Sequence, residues 1–226
     1  MPAPKCPGQD MRYWTAEDIF DVACPFCGDE IEFWKDEPIR LCSGCGVEVR
    51  NPRIDLGCAK WCKFAEECLG KNVDHLTAAA PIIETLRASL AKALKDEPKR
   101  LAFAEEVHRL ADTLAVPERE ADPRVLKCAA LLLGADVAPF PKHADLPQDL
   151  PEQAGLDAET SSSVRQTMDE AQSSPCPEGA EIRIVHDALV LAQAQHAAPP
   201  PNPETLADSL VLHSARLLAR HRFQSD

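Results

Sequence analysis

The residues of this 226-residue chain that are best suited to chemistry are its ten cysteines, and four of them form two matched pairs. Two five-residue segments contain these pairs, CPFCG at 24–28 and CSGCG at 42–46, and fourteen residues separate the two pairs. Two residues between cysteines allow a tight turn to direct both sulfurs at one ion, and the following glycine tolerates the left-handed backbone of such a turn. The spacing predicts a four-thiolate metal site with these ligands: Cys24, Cys27, Cys42 and Cys45.

Zinc is the metal that this donor set favours, and a set of four thiolates without an open position is typical of a structural site. Iron fits the same thiolates, so a rubredoxin-like centre is an alternative. Residues 30–34 and 47–50 alternate polar and apolar side chains, as half-buried strands do. We therefore predict a zinc ribbon, in which bound metal contributes on the order of 10 kcal/mol to folding.

Four further cysteines flank the ribbon: Cys6, Cys58, Cys62 and Cys68. Cys58 and Cys62 would share one face if their segment is helical, because residues four apart are neighbours on a helix. The set predicts a second metal site that holds either zinc or a four-iron, four-sulfur (4Fe-4S) cluster, since both take four thiolates. Buried or reactive free thiols are the alternative.

The composition separates the chain into two regions and excludes several classes of function. Eight of the ten cysteines and eight of the eleven aromatic residues lie in the first 70 positions, which predicts a module at 1–70 and a second domain at 71–226. The net charge of −13, and of −5 for residues 1–70, disfavours nucleic-acid binding. Because the sequence shows neither a signal peptide nor a membrane-spanning run, we expect a cytoplasmic protein that does not bind membranes, with reduced thiols.

Periodic apolar residues and proline punctuation predict helices throughout the second domain. We expect them over 76–94, 99–114, 123–134, 157–171, 179–197 and 204–222, with a nearly apolar central helix that Gly134 closes. The predicted fold is mainly α, with a small N-terminal zinc-ribbon β module followed by an all-helical domain. Three tryptophans are expected to pack around the small core of the module: Trp14, Trp34 and Trp61.

The whole arrangement resembles a small bacterial family in which a cysteine-rich N-terminal module precedes an HD-type metal-dependent phosphohydrolase domain. The N-terminal resemblance rests on both cysteine pairs and on four other segments: 6–10, 13–14, 51–52 and 57–70. The helical resemblance rests on 99–101, 127–133, 155–157 and 184–188. The resemblance implies that residues 71–226 form an HD-like domain.

HD domains, as the resemblance implies, bind one or two divalent metals through a first histidine, an adjacent His-Asp pair and a late aspartate, and the metals activate water against a phosphoester. In this chain the corresponding positions hold Phe103, Leu133, Gly134 and Asp187. Only Asp187 keeps its type, and one carboxylate does not hold a catalytic ion under ordinary conditions. The resemblance therefore implies a degenerate domain in which Asp187 is vestigial.

We expect a non-catalytic scaffold or regulatory protein that binds a protein partner or a nucleotide-like ligand. One alternative is a redox or electron-transfer protein with an iron-sulfur cluster at the second cysteine set. Another is an active phosphohydrolase whose ligands are displaced to other residues: His108, Asp136, His143 and Asp187.

Overall fold

Four short strands form the N-terminal module of this computed structural model, which describes residue 12 and residues 14–54, 73–140, 145–173 and 177–224. The strands are β1 (Ile19–Ala23), β2 (Glu30–Trp34), β3 (Ile39–Leu41) and β4 (Glu48–Arg50), preceded by one 3-10 turn at Ala16–Asp18. They pair as two antiparallel hairpins, β1 with β2 and β3 with β4. Each hairpin ends in one cysteine pair, so the two strand pairs carry the predicted site.

The β1–β2 hairpin has one apolar and one solvent-exposed face because its side chains alternate. On the inner face, Phe20 and Phe33 lie opposite one another and their rings stack with centroids 6.2 Å apart. Ile31 and Phe33 are buried, whereas the intervening residues of β2 are exposed. The strands predicted at 30–34 and 47–50 are confirmed as β2 and β4.

Eight α-helices follow in the described residues: α1 (Val73–Ala93), α2 (Pro98–Leu114), α3 (Pro123–Asp136), α4 (Leu150–Gln153), α5 (Ala158–Ser173), α6 (Ala180–His196), α7 (Pro203–Ser209) and α8 (His213–Arg222). Local signals start several of them. Pro98 and Pro123 occupy first-turn positions, where a missing N–H costs nothing, and the Asp122 carboxylate accepts from the backbone N–H of Arg124 at 2.8 Å. The mainly helical fold with a small β module is thereby confirmed.

Helix α3 forms the centre of the helical part. Every residue from Cys128 to Ala135 is buried, and α1, α2, α5 and α6 all pack against this helix. A buried arginine of α2 donates hydrogen bonds to the last turn of α3. Nε and Nη2 of Arg100 donate to the backbone carbonyl of Ala135 at 3.0 and 2.8 Å. The Arg100 guanidinium also pairs with the Glu97 carboxylate at 2.7 Å, so its charge is compensated inside the protein.

Two predicted helix boundaries are wrong. Helix α3 continues through Gly134 to Asp136, because this glycine lies at a close helix crossing rather than at a C-terminal turn. The helix expected over 204–222 is two helices, α7 and α8, with extended backbone at Leu210 and Leu212. None of the helices among the described residues is long and apolar enough to span a membrane.

The N-terminal module lies against the helical part through its first cysteine turn. A Cβ added to Gly28 would be 2.7 Å from Cε1 of His221, so this turn contacts α8 directly. Arg119 also donates to the carboxylate of Glu48 at 2.6 Å across the two parts. Buried apolar residues of both parts belong to one continuous cluster.

Candidate metal centre

Both cysteine pairs lie on turns with the same backbone geometry. The N–H of Gly28 donates to the Cys24 carbonyl, and the N–H of Gly46 donates to the Cys42 carbonyl, each at 2.9 Å. The two glycines have φ of +84° and +71°, a left-handed backbone that other residues adopt only with strain. This confirms the sequence argument for a glycine after each pair.

The four sulfur atoms converge on one point between the hairpins. Sγ of Cys24 lies 3.7 Å from Sγ of Cys45, and Sγ of Cys27 lies 3.6 Å from Sγ of Cys42. All four sulfurs lie within 4.8 Å of one another. A tetrahedral ion with metal–sulfur bonds of about 2.3 Å separates its ligand sulfurs by about 3.8 Å. The donor set therefore fits a single metal ion.

Burial and backbone N–H groups act in opposite directions on these thiols. Burial raises the pKa of Cys24 and of Cys45, although backbone N–H groups oppose this rise at both residues. At Cys42 burial also disfavours the thiolate, but the N–H groups of Cys45 and Gly44 together with hydrogen bonds from the Cys27 and Cys24 thiols lower its pKa. The turns thus direct hydrogen-bond donors at the sulfurs, and a cation between them would supply the remaining stabilisation of the thiolates.

Asn51 holds the second hairpin to the end of the first. Its buried side-chain amide donates to the carbonyl of Trp34 at 3.0 Å and to that of Glu37 at 2.9 Å, while its oxygen accepts from the N–H of Arg53 at 2.8 Å. These bonds fix the chain that leads from β2 into β3 and out of β4. Asn51 thereby positions the two cysteine turns without contacting the sulfurs itself.

The second cysteine set lies outside the described residues: Cys6, Cys58, Cys62 and Cys68. Its metal site stays a prediction. Within the described ranges, the four ribbon cysteines are the single group of three or more histidine, cysteine or acidic side chains close enough to share an ion. Cys128, also described, is a buried free thiol of α3, and burial raises its pKa to about 12.

The positions that the HD resemblance aligns with metal ligands lie on three helices that pack against one another: α2, α3 and α6. Phe103 and Leu133 are each 1% exposed and belong to the apolar cluster. A Cβ at Gly134 would approach Cα of Ala104 to 2.9 Å, so α2 occupies the space that a side chain at this position would need. Apolar packing fills this part of the helical core.

Asp187 is fully buried and its carboxylate contacts the start of α8. Its oxygens accept from the N–H of Val211 at 3.0 Å and from the N–H of Leu212 at 2.7 Å. Nδ1 of His186 lies 2.9 Å from Oδ1. The Asp187 carboxylate thus fixes the break between α7 and α8.

His108 and Asp136, two residues of the displaced-ligand alternative, do not form a metal-binding group with Asp187 in the described structure. His108 is buried on α2, where burial lowers its pKa, and its Nδ1 lies 3.4 Å from Nη2 of Arg87. The remaining residue of that alternative, His143, lies outside the described ranges.

A surface pocket beside α2 does not coincide with the corresponding metal positions. Its lining includes Arg87, Glu105 and His108, and none of the HD-like positions. Glu105 accepts from the Arg87 guanidinium at 2.9 Å, so this cation is already paired. A second guanidinium, that of Arg109, also lines the pocket and lies 4.0 Å from the Glu106 carboxylate.

The sequence reasoning missed the surface role of Trp34. It expected Trp34 to pack in the module core, but this side chain is 36% exposed and lies beside Ile19, which is 41% exposed. The alternation of side chains along β2 predicts this exposure, because Trp34 lies on the same face of the strand as Glu30 and Glu32. Trp14 packs edge-on against Trp34 with ring centroids 5.9 Å apart, and Trp61 lies outside the described residues.

Comparisons of the chain with protein-family models, curated proteins and solved structures found no match.

Proposed function

We propose that this chain is a zinc-ribbon protein whose helical domain is a non-catalytic relative of HD phosphohydrolases, and that it acts by binding a partner protein. The observation that carries the proposal is the convergence of four cysteine sulfurs within 4.8 Å. This convergence occurs on two short hairpins, which bury little apolar surface by themselves. Such modules depend on metal for their folding energy.

A single ion suits this donor set better than an iron-sulfur cluster, and we favour zinc over a rubredoxin-like iron because a closed set of four thiolates is typical of structural zinc. The closest sulfur pairs are 3.6 and 3.7 Å apart, the separation expected when all four bind one ion. In a 4Fe-4S cluster the cysteines bind different iron atoms, so their sulfurs stand farther apart. Two Cys-x-x-Cys turns that complete a closed tetrahedron are typical of structural zinc.

When bound, zinc would supply a cross-link between the two hairpins. The chain's own groups prepare this cross-link: backbone N–H groups stabilise the thiolates, and Asn51 sets the second hairpin against the first. With four protein ligands, no coordination position is left for a substrate. The proposed role of the metal is to keep the surface of the module in one shape.

Three features of the helical part support a non-catalytic role. Phe103 and Leu133 are packed in the core, Gly134 meets the backbone of α2, and Asp187 is engaged by the N–H groups of Val211 and Leu212. A divalent ion would need oxygen or nitrogen donors at these positions. Because the core and α8 use these positions for packing, binding is the better proposal than hydrolysis.

Elemental analysis of the purified full-length chain tests the metal assignment. We expect zinc, and we expect Cys42→Ser to lower the zinc content by one equivalent relative to the unmodified chain. Cys128→Ala is the matched control, because it removes a thiol from the helical core and should leave the zinc content unchanged. Iron in place of zinc, or equal zinc in both variants, would contradict the assignment.

Turnover assays of the same preparation test the non-catalytic role. With added manganese, we expect no hydrolysis of p-nitrophenyl phosphate or of nucleoside triphosphates above a heat-denatured sample. Hydrolysis that disappears in Asp187→Asn but persists in Asp208→Asn, an exposed residue of α7, would refute the proposal.

A further inference from the structure

The exposed face of the β1–β2 hairpin combines an apolar end with an acidic end. This outer face consists of Ile19, Asp21, Ala23, Glu30, Glu32 and Trp34. Ile19 pairs with Trp34, Asp21 with Glu32, and Ala23 with Glu30, so the six side chains form three adjacent rows. The face is about 13 Å long, since four strand steps rise about 3.3 Å each.

Large apolar side chains form the first row and its surroundings. Ile19 is 41% and Trp34 is 36% exposed, and Trp14 extends this surface by packing edge-on against Trp34. Of the three large hydrophobic side chains that are exposed in the described residues, two therefore lie next to each other here. Exposed neighbouring apolar groups with polar surroundings are typical of interaction surfaces, and tryptophan is frequent among the residues that contribute most to binding.

Carboxylates without an ion-pair partner among the described residues belong to the other two rows, and one of them, Glu32, accepts from the indole N–H of Trp34 at 3.3 Å. Asp21 and Glu32 are direct cross-strand partners, and like charges in this arrangement destabilise a hairpin. Two basic side chains close to this face form ion pairs with other carboxylates: Lys35 pairs with Asp18 at 2.9 Å, and Arg40 pairs with Glu37 at 3.0 Å. Lys35 also lies over the Trp14 ring, and Arg40 donates to the backbone carbonyl of Glu32 rather than to its carboxylate. Within the part of the chain that the structure describes, no ion pair neutralises this outer face.

A local arrangement that weakens its own hairpin indicates a use outside the hairpin. The three carboxylates become favourable when cations lie over them, and the adjacent apolar row gains when an aliphatic or aromatic side chain covers it. Nucleic acid does not satisfy both requirements, because its phosphates would meet the carboxylates.

We propose that the outer face binds an extended segment of a partner protein in which lysine or arginine residues follow an aliphatic or aromatic anchor. The anchor covers Ile19 and Trp34, and the basic residues lie over Asp21, Glu30 and Glu32. Four to five extended residues match the length of the face. This inference rests on the proposed function, since it assigns the partner site of the metal-stabilised module.

Panning of a random twelve-residue peptide library against the zinc-loaded full-length chain tests the proposal. We expect selected peptides to contain basic residues beside an apolar anchor, and their affinity to fall as salt concentration rises. Ile19→Ser, and separately the triple variant Asp21→Asn, Glu30→Gln and Glu32→Gln, should each weaken these peptides about tenfold or more.

A charge-matched triple variant on other surfaces provides the control: Glu159→Gln, Asp169→Asn and Glu178→Gln. It changes the net charge by the same amount through exposed residues outside the module, and it should leave peptide binding unchanged. Zinc content and circular dichroism of every variant report folding separately. The triple variant of the outer face removes like-charge repulsion, so it should fold at least as well as the unmodified chain.

Three results would overturn the proposal. Peptides that bind the outer-face variants as well as the unmodified chain would place the site elsewhere. Failure to enrich basic peptides on a zinc-loaded chain would refute the proposed type of partner, but it would not contradict the metal assignment. A dimer in sedimentation that Ile19→Ser separates would show that a second copy of the chain covers this face. Loss of zinc from the unmodified chain would instead refute the proposed function itself.

Discussion

Asp187 is the carboxylate that the HD resemblance aligns with a metal ligand, and its hydrogen bonds show what it does in this chain. The N–H groups of Val211 and Leu212 donate to it, and both belong to the extended stretch before α8. Hydrogen bonds from backbone N–H groups to a charged acceptor are stronger than those between neutral groups. A residue type alone therefore does not distinguish a metal ligand from a helix anchor.

Replacement of Asp187 tests this anchoring role. We expect Asp187→Asn to reduce the free energy of unfolding by about 2 kcal/mol, because the amide loses the charge and turns one donor toward the backbone N–H groups. Urea unfolding followed by circular dichroism measures the change. Asp208→Asn, at an exposed position of α7, should have no effect. Equal stability of the two variants would show that the Asp187 contacts contribute nothing.

The four clustered cysteines could be identified from the sequence because the residues that define each turn are local. Two residues between sulfurs and a glycine behind them specify each turn, and the structure shows both glycines with positive φ. The role of Asp187 could not be identified in this way, since its partners lie 24 and 25 residues away. Contacts at such distances depend on how helices pack, which sequence periodicity does not reveal.

Helices whose ends are marked by glycine or proline were predicted well from the sequence. The break between α7 and α8 was not predicted. Gly179 and Ala197 flank α6 as expected. Residues 210–212 read Leu-Val-Leu, with neither glycine nor proline to indicate an interruption. The buried carboxylate of Asp187 stabilises the extended backbone there, so tertiary structure overrides the local preference for helix.

Gly134 illustrates how an element can carry a glycine for packing rather than for termination. In an exposed helix interior, glycine to alanine usually stabilises by up to about 1 kcal/mol. Here a Cβ would lie 2.9 Å from Cα of Ala104 and 3.1 Å from the Val107 side chain. The crossing of α2 and α3 thus reverses the usual sign of this substitution.

We expect Gly134→Ala to destabilise the protein by about 1–3 kcal/mol, because the added methyl group forces α2 and α3 apart. Thermal and urea unfolding measure this change. Ser162→Ala, at an exposed position of α5, provides a control in which small-residue replacement should leave stability nearly unchanged. Stabilisation by Gly134→Ala would show that the crossing relaxes without strain.

At the scale of the whole molecule, the module and the helical part depend on different sources of stability. The helical part buries many leucines in its own core, among them Leu86, Leu110 and Leu131. The module has a much smaller apolar core and four clustered thiols. The proposed metal cross-link is therefore expected to matter far more for the module than for the helices.

Removal of the metal should separate these two contributions. Excess chelator should abolish the near-ultraviolet circular dichroism of the packed tryptophans Trp14 and Trp34, while most of the far-ultraviolet helical signal remains. Added zinc should restore the lost signal. Loss of the helical signal in the same transition would show that both parts fold as one cooperative unit.

The contact between Gly28 and His221 joins an early segment of the chain to its last described helix. During synthesis the cysteine turns leave the ribosome long before His221, and N-terminal units generally fold first. Under the proposed metal assignment, the turns can take up an ion while the rest of the chain is still being made. Contact with α8 would then follow late in synthesis, so we expect a product truncated before α8 to keep the proposed metal site without the His221 contact.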